Sequence, residues 1–295
     1  MRRNDAATYE LYRRKFPAIE QIPILGMAND GTLSAEKIIA TKPDLAVLSL
    51  SVVPDAAAST LVQQLLAAEI PVVFTDFFVD PFVHTVPSIR LLGQVTGSEK
   101  QAEAYIAFYE DHMNRIASRL AQQRTAKPKI LVEAHAGMAG CCFSPGRGNI
   151  GDYIAFAGGH SIAADVLPGP TGQLSLEYVI AQDPDVYVAT GGPHLAAKGG
   201  FVVGPGIDDA MMQKSLSDVV RRPGITSLRA VRSGRAHGLF HNLLTTPLNI
   251  LATEMLAKWI NPTLFADLDV EKTKNEMNER FLAVPMQGTY WTTLQ

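Results

Sequence analysis

The chain has 295 residues, 47% of them hydrophobic and 19% charged, with a formal net charge of -3. That length exceeds one small core and fits two lobes of ordinary domain size. Mixed charges without a basic run exclude a nucleic-acid surface, and no apolar stretch is long enough to span a membrane. Met1-Arg2-Arg3-Asn4 leads into a polar segment with no apolar leader core.

In chain order, Ser34 to Thr41 reads as a short helix capped by Ser34, and Leu45 to Leu50 as a buried strand. Ala56 to Ala68 reads as a second helix and Val72 to Asp76 as a second strand. Ser98 to Gln123 carries no glycine or proline, and Ala102, Tyr105, Ile106, Tyr109, Met113, Ile116 and Leu120 fall at helical spacing. At about 1.5 Å per residue this helix would reach about 39 Å, the length of a lobe, with His112 on its surface. Lys127-Pro128-Lys129 stops it. Ile130 to Ala134, Val186 to Thr190 and Ala236 to Phe240 are three further buried strands. Strands alternating with helices imply parallel sheets covered on both faces.

The segment Leu33 to Val47 recurs as Leu174 to Val188, with Ser, Glu, Pro and Asp at matching spacing. Each copy reads as capped helix, Pro-Asp turn and buried strand, one on each side of the long helix. The expected division is an N-terminal lobe over 1–97, a connecting helix over 98–124 and a C-terminal lobe over 125–295. The C-terminal tail is placed to pack back on the N-terminal lobe.

The repeat resembles the class III periplasmic binding proteins, soluble receptors of importers for ferric siderophores, haem and cobalamin. Gly148 to Gly159 looks like that family's glycine-rich segment in the second lobe. Phe240 through Pro247, Leu256 to Pro262 and Gly288 to Trp291 are similar to the iron-complex branch. The resemblance runs from about Tyr12 onward and implies two α/β lobes joined by one long helix, with the ligand between them. It implies no enzyme activity, no intrinsic cofactor, an Fe(III) chelate as cargo, and a monomer that delivers it to an ABC permease with its ATPase. It also implies a periplasmic or exported location, although the family's leader, first strand and first helix have no counterpart here. Haem, cobalamin or a bare metal ion are alternative ligands. A two-lobed α/β metalloenzyme is the competing class, disfavoured by the lack of clustered cysteines and of any phosphate-binding glycine loop.

Ligand-binding residues are expected in loops after strands, the crevice of open α/β sheets. That places Phe77, His135, Cys142, Phe143, Arg147, His194 and His241 at the site. Arg147 is a cation suited to an anionic ligand. His135, His194 and His241 all lie just beyond strands and can converge. One of them supplying a ligand to chelated iron fits better than a site for a bare metal ion. Cys141 and Cys142 are adjacent, a spacing that disfavours a bond between them. They read as site lining, with soft-metal binding as the alternative. Glu36 and Glu177 occupy matched first helical turns, where the helix dipole favours a carboxylate. The resemblance implies that they dock onto permease arginines.

Overall fold

A computed structural model of the protein describes residues 5–26, 32–123 and 126–295. Met1 to Asn4, on which the leader reading rests, and the end of the connecting segment at Arg124 lie outside the described residues. The chain divides into two compact units, residues 1–12 with 107–295 and residues 13–106. The described residues from Asp5 to Tyr12 thus cluster with the larger unit, whereas the expected division ran the N-terminal lobe over 1–97.

Helix α1 (Ala6–Lys15) leads into the smaller unit, which holds α2 (Ala35–Ala40), β1 (Ala46–Ser49), α3 (Thr60–Ala67), β2 (Val72–Thr75) and α4 (Pro81–Thr96). Strands β1 and β2 pair in parallel, Ala46 opposite Val72 and Ser49 opposite Thr75. Ile38, Ala46, Leu65 and Ile70 form the core there, flanked by Leu25, Leu33, Leu48 and Val72. Helix α4 was not foreseen, because Pro81, Pro87 and Gly93 punctuate it. Pro81 sits in the first turn, where a missing N–H is tolerated, and Asp80 caps the amide of Val83. Gly93 is needed because a Cβ there would stand 2.5 Å from Ala102 Cβ on the next helix.

Helix α5 (Glu99–Leu120) is continuous as expected, and the chain passes from one unit to the other within it. The larger unit continues with β3 (Lys129–Glu133), β4 (Phe143–Pro145), α6 (Ile150–Phe156), β5 (His160–Ser161), β6 (Thr171–Gln173), α7 (Leu176–Gln182) and β7 (Val186–Gly191). It ends with α8 (Asp209–Val220), α9 (Arg229–Arg232), β8 (Ala236–Phe240), α10 (Asn249–Ile260), α11 (Val270–Arg280) and β9 (Trp291–Thr293). The main sheet runs β5-β3-β7-β8-β9, parallel except for β9. The C-terminal tail therefore closes the edge of this sheet, and β4 with β6 forms a small antiparallel pair. Strands β3 and β7 are near-continuous apolar runs with Ile130, Leu131, Val186, Tyr187 and Val188 fully buried. Such runs suit a parallel sheet covered on both faces, each side chain contributing about 1.5–3 kcal/mol.

The repeat holds in three dimensions. Ser34 Oγ accepts the Lys37 amide and Ser175 Oγ accepts the Tyr178 amide, so both copies start with the same cap. Polar burial in the larger unit is paired. Glu133 takes Arg222 in a bidentate ion pair and the hydroxyl of Tyr187. His112, expected on the surface, is buried: its Nδ1 lies 2.6 Å from Glu254 on α10. Among the described residues no helix is long and apolar enough to cross a membrane.

Candidate functional site

Strands β3, β7 and β8 are neighbours and parallel, so their C-terminal ends share one edge of the sheet. The chain places a histidine at each end: His135 just after β3, His194 in the short turn Pro193–Lys198 after β7, and His241 directly after β8. The His135 ring centroid lies 4.0 Å from that of His241 and 5.3 Å from that of His194. The three imidazoles expected from separate strands therefore form one cluster.

Thr190, fully buried at the end of β7, ties the cluster together. Its Oγ1 accepts the His135 amide at 3.2 Å and lies 2.9 Å from His241 Nδ1. With one lone pair used, donating the hydroxyl proton to Nδ1 satisfies both groups and leaves the His241 proton on Nε2. His135 has a positive φ of 50°, a conformation uncommon outside glycine and frequent at functional sites. Its Nδ1 is buried with no hydrogen-bond partner among the described residues.

Burial, with His135 and His194 alongside, pushes His241 down to about 3. Burial, then His194 and Lys198, lowers His135; burial, then Lys198, lowers His194. All three are therefore neutral at pH 7, the form that can donate a lone pair to a metal centre. Among the described residues no group of three or more His, Cys, Asp or Glu side chains is arranged to hold a metal ion. The rings pack against each other instead of aiming at one point.

A cavity of about 490 Å³ lies in the larger unit, walled by Phe240, Tyr290, Tyr12, Leu248 and Met286, with Asn242 and Asp5 among its polar groups and none of the three histidines in its lining. Phe240 and Asn242 flank His241, and a Cβ on Gly192 would lie 3.0 Å from the His194 ring and 3.3 Å from Phe240. An apolar cavity with a few convergent polar groups is the usual form of a small-molecule site. Sequence reasoning missed Tyr12, Tyr290, Met286 and Thr190. Tyr12 and Met286 come from chain ends with no motif to mark them, and Tyr290 lies in the segment Gly288 to Trp291, which was noted for its resemblance and not as cavity wall. Thr190 was read only as the last residue of a strand.

The remaining expected residues fall as follows. Cys142 is fully buried and Phe143 is exposed on β4. Arg147 is exposed and its Nε donates to the Ala164 carbonyl, so it is engaged on its own loop. Cys141 and Cys142 are joined by a disulfide across a cis peptide bond, against the expectation for adjacent cysteines. With both sulfurs bonded to each other, neither is a thiolate ligand for a soft metal. Phe77 lies in the smaller unit, half-buried after β2. There the buried Asp76 accepts the amides of Phe78, Val79 and Asp80 and the His84 ring at 2.8 Å. Burial works against its ionisation, but the Asp80 amide, His84 and the other two amides outweigh it and hold the carboxyl below the usual range. Asp76 thus fixes the loop that carries Phe77. Glu36 and Glu177 are both exposed in first helical turns.

The fold has close counterparts. A TroA-like periplasmic binding protein, FepB, from Veillonella parvula superposes with a TM-score of 0.89 at 22% identity, over 98% of this chain and 83% of that one. The molybdate-bound periplasmic protein MolA of a Haemophilus influenzae ABC transporter matches with a TM-score of 0.69 at 17% identity, covering 95% of this chain and 83% of that one. A periplasmic heme binding protein from Pseudomonas aeruginosa matches with a TM-score of 0.60 at 21% identity, covering 86% and 84%. In sequence, a protein of Halobacterium salinarum described as cobalamin-binding is 29% identical over 174 residues. Those residues are 58% of this chain and 44% of that protein, so under half of the relative's length is spanned. The profile of the periplasmic binding protein family matches residues 7–239, from α1 through the repeat to the strand that ends at the histidine cluster. With that match over most of its length, the chain belongs to the periplasmic binding protein family.

Proposed function

We propose that this chain is the solute-binding component of an ABC importer that captures a ferric siderophore or similar iron chelate outside the cytoplasm and delivers it to a membrane permease. The observations that support this reading are the cluster of three neutral imidazoles at the strand ends and an aromatic-walled cavity lined by Phe240 and Asn242, the chain neighbours of His241. Aromatic faces accept the flat apolar body of a chelate, and an uncharged imidazole completes or hydrogen-bonds the coordination sphere of its metal. Phe77, on the loop braced by Asp76, is proposed as an apolar contact, and Cys142, Phe143 and Arg147 as lining. The cobalamin-binding relative supports a second reading, in which the same cavity holds a corrin.

Calorimetric titration with a ferric trihydroxamate, a ferric tris-catecholate, haem, cyanocobalamin and molybdate separates these readings. A ferric siderophore is expected to bind most tightly. His241→Ala is expected to weaken binding by about tenfold or more, since one lost polar contact in a dry site is worth about 1–3 kcal/mol. Binding of cyanocobalamin alone would transfer the assignment to the corrin, and an unchanged affinity in His241→Ala would remove the cluster from the site.

Glu36 and Glu177 are proposed as the permease-docking pair. Exposed first-turn carboxylates gain about 0.3–1 kcal/mol from the helix dipole, so their loss is nearly silent for stability. Charge reversal of both (Glu36→Lys with Glu177→Lys) is expected to leave ligand affinity unchanged and abolish uptake in cells, with a salt-dependent loss of permease association. Normal uptake by that variant would end the docking role.

A further inference from the structure

A second cavity of about 480 Å³ lies in the larger unit, between the β8–β9 edge of the sheet and helices α10 and α11. His237 in its wall sits at the start of β8, about 13 Å along the strand from His241. Trp259 and Trp291, the two tryptophans of the chain, both stand in this wall. The Trp259 indole stacks on His237 at 4.6 Å, and Lys274 Nζ lies 5.5 Å from the centroid of the Trp291 ring. His237 is 6% exposed, with Nδ1 2.9 Å from Thr293 Oγ1. Its Nε2 is buried with no hydrogen-bond partner among the described residues. Buried polar atoms are nearly always paired, so an orphan in a cavity wall points to an occupant. Burial, with Arg235 nearby, keeps the ring neutral at pH 7. With Thr293 donating to Nδ1, the ring proton sits on Nε2 as a donor.

The charges of the wall do not cancel. Arg235 Nη2 donates to the carbonyls of Trp259 and Ile260, and Lys258 Nζ to that of Leu268. Neither cation has a carboxylate partner among the described residues. Of the two carboxylates in the wall, Glu271 is paired with Lys274, and Asp269 caps the Lys272 amide. Two cations against one carboxylate without an ion-pair partner leave the cavity one positive charge in excess, the complement of a monoanion.

We propose that this cavity is a second ligand site, which takes a small aromatic monocarboxylate with its ring against the two tryptophans and its carboxylate toward Arg235 and Lys258. Aromatic rings favour offset or edge-to-face contact with other rings, and two indoles in one cavity offer both. Arg235 spends Nη2 on backbone carbonyls and keeps Nε and Nη1 for a carboxylate. His237 Nε2 supplies a further donor when the wall gives enough for the ligand to reach it. A cavity of this size holds a two-ring acid. An uncharged ligand leaves the excess positive charge uncompensated. Binding here requires nothing of the histidine cluster at the other end of β8.

The test titrates 1-naphthylacetate into the full chain by calorimetry, with 2-(1-naphthyl)ethanol as its uncharged counterpart. The acid is expected to bind about tenfold more tightly than the alcohol, the effect of a charge-assisted contact. Because both tryptophans belong to this wall, their two indole N–H resonances place the bound molecule, and both are expected to shift as the acid is added. Lys258→Met is expected to weaken the acid about tenfold and leave the alcohol unchanged. Should that variant fail to fold, the comparison of acid with alcohol on the parent chain and the indole shifts decide the matter. No binding of the acid overturns the proposal, as does equal affinity for acid and alcohol. Binding that leaves both indole resonances in place puts the molecule elsewhere and overturns it too.

Discussion

Replacing Glu254 by alanine is expected to destabilise the larger unit by about 3 kcal/mol, from the buried His112 left without its hydrogen-bond partner and the space left behind. For a unit of this size that lowers the melting temperature by roughly 10 °C. Glu254 is fully buried on α10, and its Oε1 lies 2.6 Å from Nδ1 of the buried His112 on α5. His112 also packs on Phe108, with ring centroids 4.3 Å apart. Glu254 Oε2 has no hydrogen-bond partner among the described residues, so the carboxylate depends heavily on this one contact. Glu254→Gln, close in volume, retains an acceptor for Nδ1 and is expected to cost far less, about 1 kcal/mol. His112→Leu with Glu254→Leu removes both polar groups and is expected to recover most of the loss. Urea unfolding of the three variants checks the series. A loss below about 1 kcal/mol in Glu254→Ala would show that the pair is not holding α5 to α10.

Much of this architecture is readable from local pattern because local pattern is what fixes it. The five short apolar runs became β1, β2, β3, β7 and β8 within a residue or two at each end; β3, β7 and β8 are buried on both faces, which leaves a parallel strand few other compositions, whereas β1, expected to be buried, leaves Val47 exposed. Helix α5 was legible from an apolar stripe with no glycine or proline. The repeat was legible because a Ser cap and a first-turn Glu impose fixed spacing. Helix α4 was hidden by its prolines and glycine: Pro81 belongs to the first turn, Pro87 lies inside the helix, and Gly93 answers to the close approach of Ala102 on the next helix, which local sequence does not carry. His112 was misplaced for the same cause: its burial depends on Glu254, more than a hundred positions away. That His135, His194 and His241 could converge was open to the sequence because each lies just beyond a strand; that they do depends on the neighbouring order of β3, β7 and β8, and the cavity wall from Tyr12, Met286 and Tyr290 required knowing where distant segments fold. The bond between Cys141 and Cys142 ran against the general geometry of adjacent cysteines, so spacing pointed away from it.

Acidification from pH 7 to pH 5 is expected to remove about 4 kcal/mol from the larger unit through two histidines, about 2 kcal/mol from each. Burial, with Arg235 nearby, pushes His237 down to about 3, and burial, with His135 and His194 nearby, takes His241 to about 3 as well. In the unfolded chain each titrates near the ordinary value of about 6.5. Between about 6.5 and 3 the unfolded state therefore holds a proton that the folded state refuses, and stability falls as pH falls. The full contribution is present above about 6.5 and is lost at about 1.4 kcal/mol per pH unit for each group. His237 isolates one of the two, because it sits at the start of β8, away from His241 at the strand's other end. Its ring stacks on Trp259 at 4.6 Å and its Nδ1 meets Thr293 Oγ1 at 2.9 Å. His237→Phe keeps the stack and removes the titration. Urea unfolding of both proteins at the two pH values then compares the difference in stability, in which carboxylate contributions common to both cancel. The variant is expected to lose about 2 kcal/mol less than the parent on acidification. Equal losses would mean that His237 takes up its proton in the folded chain near its ordinary value, and that the Trp259 stack opens to let solvent reach it.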